Sequence, residues 1–147
     1  MNWQPATNQL HLSIAAPPWP TGTATLEIPW PPRTDPTLLP TVLTAMRSIP
    51  RLTVHQAVTS DYTGYPGNEI ELPLAGADFL ATEPYDSGWG NPVILGSTPG
   101  ETEIGLAFPS GIAIRLFVGP DYTILREEAT TPNHLITSTF EYPSSRR

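Results

Sequence analysis

The chain reads as an α+β domain dominated by antiparallel sheet, with about eight or nine short strands and one main helix packed on them. Three observations predict this. Apolar and polar residues alternate along most of the chain, the period of strands that bury one face. Only one segment carries a sustained three- and four-residue apolar spacing. The strand-like segments are separated by clusters of Pro, Gly, Asn and Asp, residues that stiffen or reverse the backbone. At 147 residues the chain fits one domain, 1–147, fraying before about residue 5 and after about residue 143. A chain of this size buries roughly two-thirds of its unfolded surface, so its core needs neither disulfide nor structural metal.

The first pair of strands is Gln9 to Ala15, alternating through Leu10, Leu12 and Ile14, and Thr23 to Trp30, alternating through Ala24, Leu26 and Ile28. The connector Pro17 to Gly22 makes them an antiparallel hairpin with a stiff tip that carries Trp19. The helix follows. Asp35 caps its start with Pro36 at the first helical position, and Pro40 permits a later start. Leu39, Val42, Leu43, Met46 and Ile49 form one apolar stripe, and Pro50 ends it. Arg51 to Val58 returns to strand period, with Leu52, Val54 and Val58 on one face and Thr53, His55 and Ala57 on the other. After the loop Ser60 to Asn68, the short strand Glu69 to Leu74 turns Ile70, Leu72 and Leu74 inward and Glu69 and Glu71 outward. Ala75 to Ala81 is a helical turn or an irregular edge, and Glu83 to Pro92 is the most polar, most glycine-dense loop. The last third is a meander: Val93 to Leu95, Ile104 to Phe108, Gly111 to Val118, Tyr122 to Arg126 and Leu135 to Tyr142, joined by Pro- and Gly-containing turns.

Composition then narrows the function. The absence of cysteine removes thiolate nucleophiles, disulfides and iron–sulfur clusters. Charged residues make up 14%, against about 25% in an average domain, and there are 19 prolines. Recurrent Val, Ile and Leu nevertheless argue for order. All seven basic residues are Arg, and the net charge is −7. That charge is unevenly placed. Residues 61–141 hold twelve carboxylates against Arg115 and Arg126, whereas residues 1–60 hold Glu27 and Asp35 against Arg33, Arg47 and Arg51. Such a field repels nucleic acid and anionic lipid and attracts a basic protein partner. Carboxylates that merely keep a weakly charged domain soluble would look the same. No run of eighteen apolar residues is present to span a membrane, and Met1 to Pro5 has neither the basic flank nor the apolar run of a signal peptide, so the expected compartment is the cytoplasm.

The motifs are mostly negative. Ser110 lacks a Gly-x-Ser-x-Gly elbow, and Ser87 has no helix behind it. His11, His55 and His134 are far apart and lack metal-ligand spacing, so no metal or other cofactor is expected. Gly64-x-x-Gly67 and Gly88-x-Gly90 are not followed by the residues that complete a phosphate cradle. Glu69 with Glu71, and Glu101 with Glu103, would share a strand face, as a carboxylate pair for acid–base work requires, and as any solvated strand also arranges.

Two aromatic loops remain. One carries Asp61, Tyr62, Tyr65 and Asn68, the other Tyr85, Asp86, Trp89 and Asn91. Rigid turns that present Tyr and Trp beside short polar groups make contact surfaces, because these rings bring large area at little entropic cost. The same rings could equally cover the ends of the sheet. With Glu69 and Glu71 they form the expected partner-binding set. The leading expectation is a non-enzymatic interaction domain of the inhibitor, immunity or phage-antagonist type that docks a basic protein. The alternatives are a carbohydrate or small-ligand module using Tyr65, Tyr85 and Trp89, a structural subunit of a phage particle or secretion apparatus, and an enzyme built on a carboxylate pair.

Overall fold

The computed structural model describes residues 31–62, 64–82, 85, 92–108 and 111–143, together with the backbone course of residues 2–4, 9–14 and 24–29. Two sheets and two helices are described. Strands β1 (Asn2–Gln4), β2 (Gln9–Ile14) and β3 (Ala24–Pro29) form an antiparallel sheet in that order. Helix α1 (Leu38–Arg47), β4 (Leu52–Ser60), β5 (Asn68–Leu74), helix α2 (Gly76–Leu80), β6 (Val93–Thr98), β7 (Glu101–Ala107), β8 (Ala113–Val118), β9 (Ile124–Thr130) and β10 (His134–Glu141) follow. The main sheet is antiparallel, with strand order β5-β4-β10-β9-β8-β7-β6.

The chain is mostly β with one main helix, as its alternation requires. The main sheet holds seven strands rather than eight or nine, and the N-terminal hairpin stands in a sheet of its own. Pro29, Pro31 and Pro32 explain the break. Each removes a backbone donor, so the ladder cannot run on from β3, and an isolated bridge between Arg33 and Ile94 follows. Asn2 to Gln4 pair with His11 to Gln9 in the first ladder of that sheet. The hairpin tip with Trp19 lies outside the described residues.

Helix α1 starts at Leu38, between the two starts that Pro36 and Pro40 allow, with Thr37 as its N-cap. The Asp35 carboxylate accepts hydrogen bonds from the Thr37 backbone N–H at 2.8 Å and from Thr37 Oγ1 at 2.7 Å, and these hold its carboxyl below the ordinary range. Pro40 falls in the first turn, where its missing N–H would have no intrahelical partner. Leu39, Val42, Leu43, Met46 and Ile49 are all buried against the sheet, together with Leu52, Val54, Ile104, Leu106, Ile114, Leu116 and Val118. Segment 75–81 resolves into the short helix α2. Its Phe79 meets Phe140 edge-on with ring centroids 4.9 Å apart. The two helices touch at Gly76, whose N–H donates to Ile49 O at 2.9 Å and whose position lies so close to Met46 O that an added Cβ would stand 2.0 Å from it.

Strand β10 holds the sheet together. It inserts between β4 and β9, with Ser138 opposite both Gln56 and Glu127. The β4–β5 hairpin and the β6–β9 meander are thereby joined by the last strand of the chain.

Candidate functional site

Antiparallel pairing puts directly opposed residues on one face, so the register determines which charges meet. On the face away from α1, one row runs Glu103, Phe117, Arg126, Thr139, His55, Glu71, and the next runs Gly105, Arg115, Glu128, Thr137, Ala57, Glu69. The two ends of these rows differ. At the β7–β9 end, Arg115 bonds Glu103 Oε1 from Nη2 at 2.6 Å and from Nε at 2.7 Å, and reaches Glu128 Oε2 from Nη1 at 3.1 Å. Arg126 Nη1 meets Glu128 Oε1 at 2.9 Å, and its guanidinium lies 3.8 Å above the centroid of the buried Phe117 ring. Charge among these four side chains is balanced, while Glu101 at the start of β7 is exposed on the same face.

At the β4–β5 end it is not. His55 Nε2 lies 3.3 Å from Glu141 Oε2, and His55 Nδ1 lies 4.0 Å from Glu71 Oε2. The Glu71 and Glu141 side chains are 69% and 73% exposed, and Glu69 beside them is exposed too. Arg51, one residue ahead of β4, offsets part of this charge at the Glu141 end. No described ion pair joins it to Glu69 or Glu71.

The loop between β4 and β5 borders the same corner. Gly64 and Gly67 hold φ of +85° and +73°, the left-handed conformation that glycine accepts without strain. The Tyr65 N–H donates to Tyr62 O at 3.1 Å, and the Tyr62 N–H to Ser60 Oγ at 3.2 Å. Tyr62 is 56% exposed and Tyr65 39%. Both rings lie 5.7 Å from the His134 ring at the start of β10. Asp61 is half-buried. Its N–H donates to Asn133 O at 3.2 Å, and its Oδ1, like His134 Nδ1, is enclosed without a hydrogen-bond partner. His134 shares a face with Ile136 and Ser138, so the two tyrosines reach this corner from the helix side, while Glu69 and Glu71 face the other way. Asn68 is exposed at the start of β5.

The second loop separates from the first. Tyr85 is 5% exposed, its ring 5.4 Å from Phe79, and its hydroxyl donates to Glu127 Oε2. Proposed as a contact residue, Tyr85 is packed in the core of the free protein, where its hydroxyl satisfies a carboxyl that the core has enclosed. Asp86, Trp89 and Asn91 lie outside the described residues. His55, Glu141 and His134 were not in the sequence-derived set. Their signal was absent, because they join the corner through pairings across the sheet rather than through nearby positions.

Glu127 is the group that alternation did not place. It stands on the helix-bearing face between Leu116 and Ser138, 5% exposed. Burial lifts its carboxyl above the ordinary glutamate range, while hydrogen bonds from Tyr85 and from Ser138 Oγ, the latter at 3.4 Å, oppose that rise. Burial likewise raises the Tyr85 phenol well above its usual value, and the Glu127 charge adds to the effect, so the phenol stays a donor. Gln56 Nε2 extends the network to Ser138 Oγ at 3.4 Å.

Of the carboxylate pairs, Glu69 and Glu71 share a face as strand spacing requires, whereas Glu103 is held by Arg115. A described concavity lies along the solvent side of α1, between Pro36, Thr37, Pro40, Thr41, Thr44 and Ala45, and offers no ionisable group. Among the described residues no three His, Asp or Glu side chains cluster as a metal site, and no helix is long and apolar enough to cross a membrane. No family model matches the chain, and no curated protein matches it.

Proposed function

We propose that this protein is a non-enzymatic interaction domain that docks a basic protein partner on the corner formed by β4, β5 and the end of β10. One observation carries the reading: Arg115 and Arg126 are paired with Glu103 and Glu128 at one end of that face, leaving Glu69, Glu71 and Glu141 at the other with His55 as their one described ion-pair partner. Exposed ion pairs contribute only about 0–1 kcal/mol each, so these carboxylates act mainly by steering approach and setting orientation. Burial of Tyr62 and Tyr65, both exposed in the free protein, supplies the hold. An inhibitor, an immunity protein or a phage antagonist would use such a surface. A cytoplasmic setting is part of the proposal, to be checked by fractionating the native host. The carbohydrate alternative has less support, because one of its three rings, Tyr85, is buried.

The test is capture of partners from the native host, followed by association kinetics with the identified protein. Glu69→Arg with Glu71→Arg should slow association about tenfold or more at low salt and flatten its salt dependence. Tyr62→Ala should act mainly on dissociation. Association that is indifferent to the charge reversal would overturn the reading.

A further inference from the structure

The two edges of the main sheet are not alike. At the β6 edge, the Ile94 N–H donates to Arg33 O at 2.8 Å, so a second segment already engages it. Strand β5 at the other edge pairs with β4 and with no other described strand. It therefore carries a row of backbone groups directed away from the sheet.

Two observations identify that row. Backbone groups alternate in direction along a strand, and the Asp61 N–H bonds Asn133 O, which turns the odd-numbered residues of β4 toward β10 and the even-numbered ones toward β5. Through the register, Asn68, Ile70, Leu72 and Leu74 then bond β4, and Glu69, Glu71 and Pro73 point outward. Pro73 independently agrees. A proline has no N–H to give the ladder, and an edge strand accommodates it where its nitrogen faces out. The outward row thus offers N–H and C=O from Glu69 and Glu71 and C=O from Pro73.

The geometry points to strand addition: an extended basic segment of the partner pairs antiparallel with β5, bonding the backbones of Glu69 and Glu71 and placing Arg or Lys opposite both carboxylates. This inference rests on the docking reading above and states how that docking occurs. Charge selects the occupant. A second copy of this chain would set glutamates against glutamates or against Pro73, which disfavours self-pairing, whereas a strand with basic residues at i and i+2 gains a favourable cross-strand pair at each. Main-chain bonds would give affinity and the alternating side chains specificity.

The experiment uses a capped pentapeptide of alternating Arg and Val and the same peptide N-methylated on the backbone of its arginines, which keeps every charge but removes the donors. The unmodified peptide should bind about tenfold or more tightly than its methylated form. It alone should slow hydrogen exchange of the Glu69 and Glu71 amides. Equal binding of the two peptides, or binding of neither at millimolar concentration, would overturn strand addition. So would sedimentation showing that the chain pairs with itself through β5. These failures leave the docking reading in place, which falls only if an identified partner ignores Glu69→Arg with Glu71→Arg.

Discussion

The Glu127 carboxyl, enclosed on the helix-bearing face between Leu116 and Ser138, makes the stability of this protein depend on pH. Because burial raises its carboxyl above the ordinary range, the folded chain keeps this proton to higher pH than the unfolded chain does. Between the ordinary glutamate value and the raised one, the folded state binds more protons, so its stability falls as pH rises through that window and levels off above it. Glu127→Gln keeps the shape without the charge. The variant should therefore gain on the native protein by on the order of 1 kcal/mol as pH rises across the window, read as the difference between their urea midpoints from pH 4 to pH 8. A difference that does not change with pH would contradict this account. The same residue shows why single positions were hard to read from the sequence. Tyr85 stands beside Pro and Asp much as Tyr62 and Tyr65 stand among Gly and Pro, yet Tyr85 is drawn inward because a carboxyl distant in sequence needs its hydroxyl.

At the scale of elements, local pattern was informative wherever one face is apolar and the other polar. The α1 stripe, the β4 alternation and the outward position of Glu69 and Glu71 all follow from spacing, and all are present. Boundaries were less legible. Strand β6 runs on to Thr98 through Gly96 and Ser97, where pairing with Glu103, Thr102 and Glu101 rather than alternation sustains the strand. Strand β9 continues past Arg126 to Thr130, and the register shift between Phe117 and Val118 changes the parity that its early residues imply. Contact between elements that are not neighbours in a hairpin was less legible, and Gly76 is the clearest case. With a Cβ 2.0 Å from Met46 O and backbone atoms rather than a flexible side chain in the way, Gly76→Ala must push α2 off the end of α1. A loss of ~1–3 kcal/mol is expected, measurable by denaturant unfolding, with Ala77→Gly, on the exposed side of α2, as the control for helix propensity alone.

Across the whole molecule, the placement of β10 governs cooperativity. Gln56 and Ser138 bond across the sheet although they lie 82 positions apart, so within the main sheet the β4–β5 hairpin is joined to the meander through β10. A chain ending after Thr131 should lack a cooperative unfolding transition and the near-ultraviolet circular dichroism of the full protein, since β4 and β9 would each lose a neighbour and the core its Ile136 and Phe140. Retention of a sharp transition would show that the two halves are stable apart. The uneven charge also takes its form at this scale. Its sign and its bias toward residues 61–141 are in the sequence, but whether a carboxylate is neutralised depends on which strand lies beside it: Glu103 and Glu128 meet arginines, whereas Glu69 and Glu71 stand on an edge. What the sequence by itself determined was therefore the local repertoire, the strands, the main helix, the face each turns inward and the net acidity, because these depend on residues within a few positions of one another. Strand order, the burial of Tyr85 on Glu127 and the separation of arginine-paired carboxylates from those on the β5 edge were decided only by the tertiary structure, because they depend on which distant segments satisfy one another's hydrogen bonds and apolar surfaces.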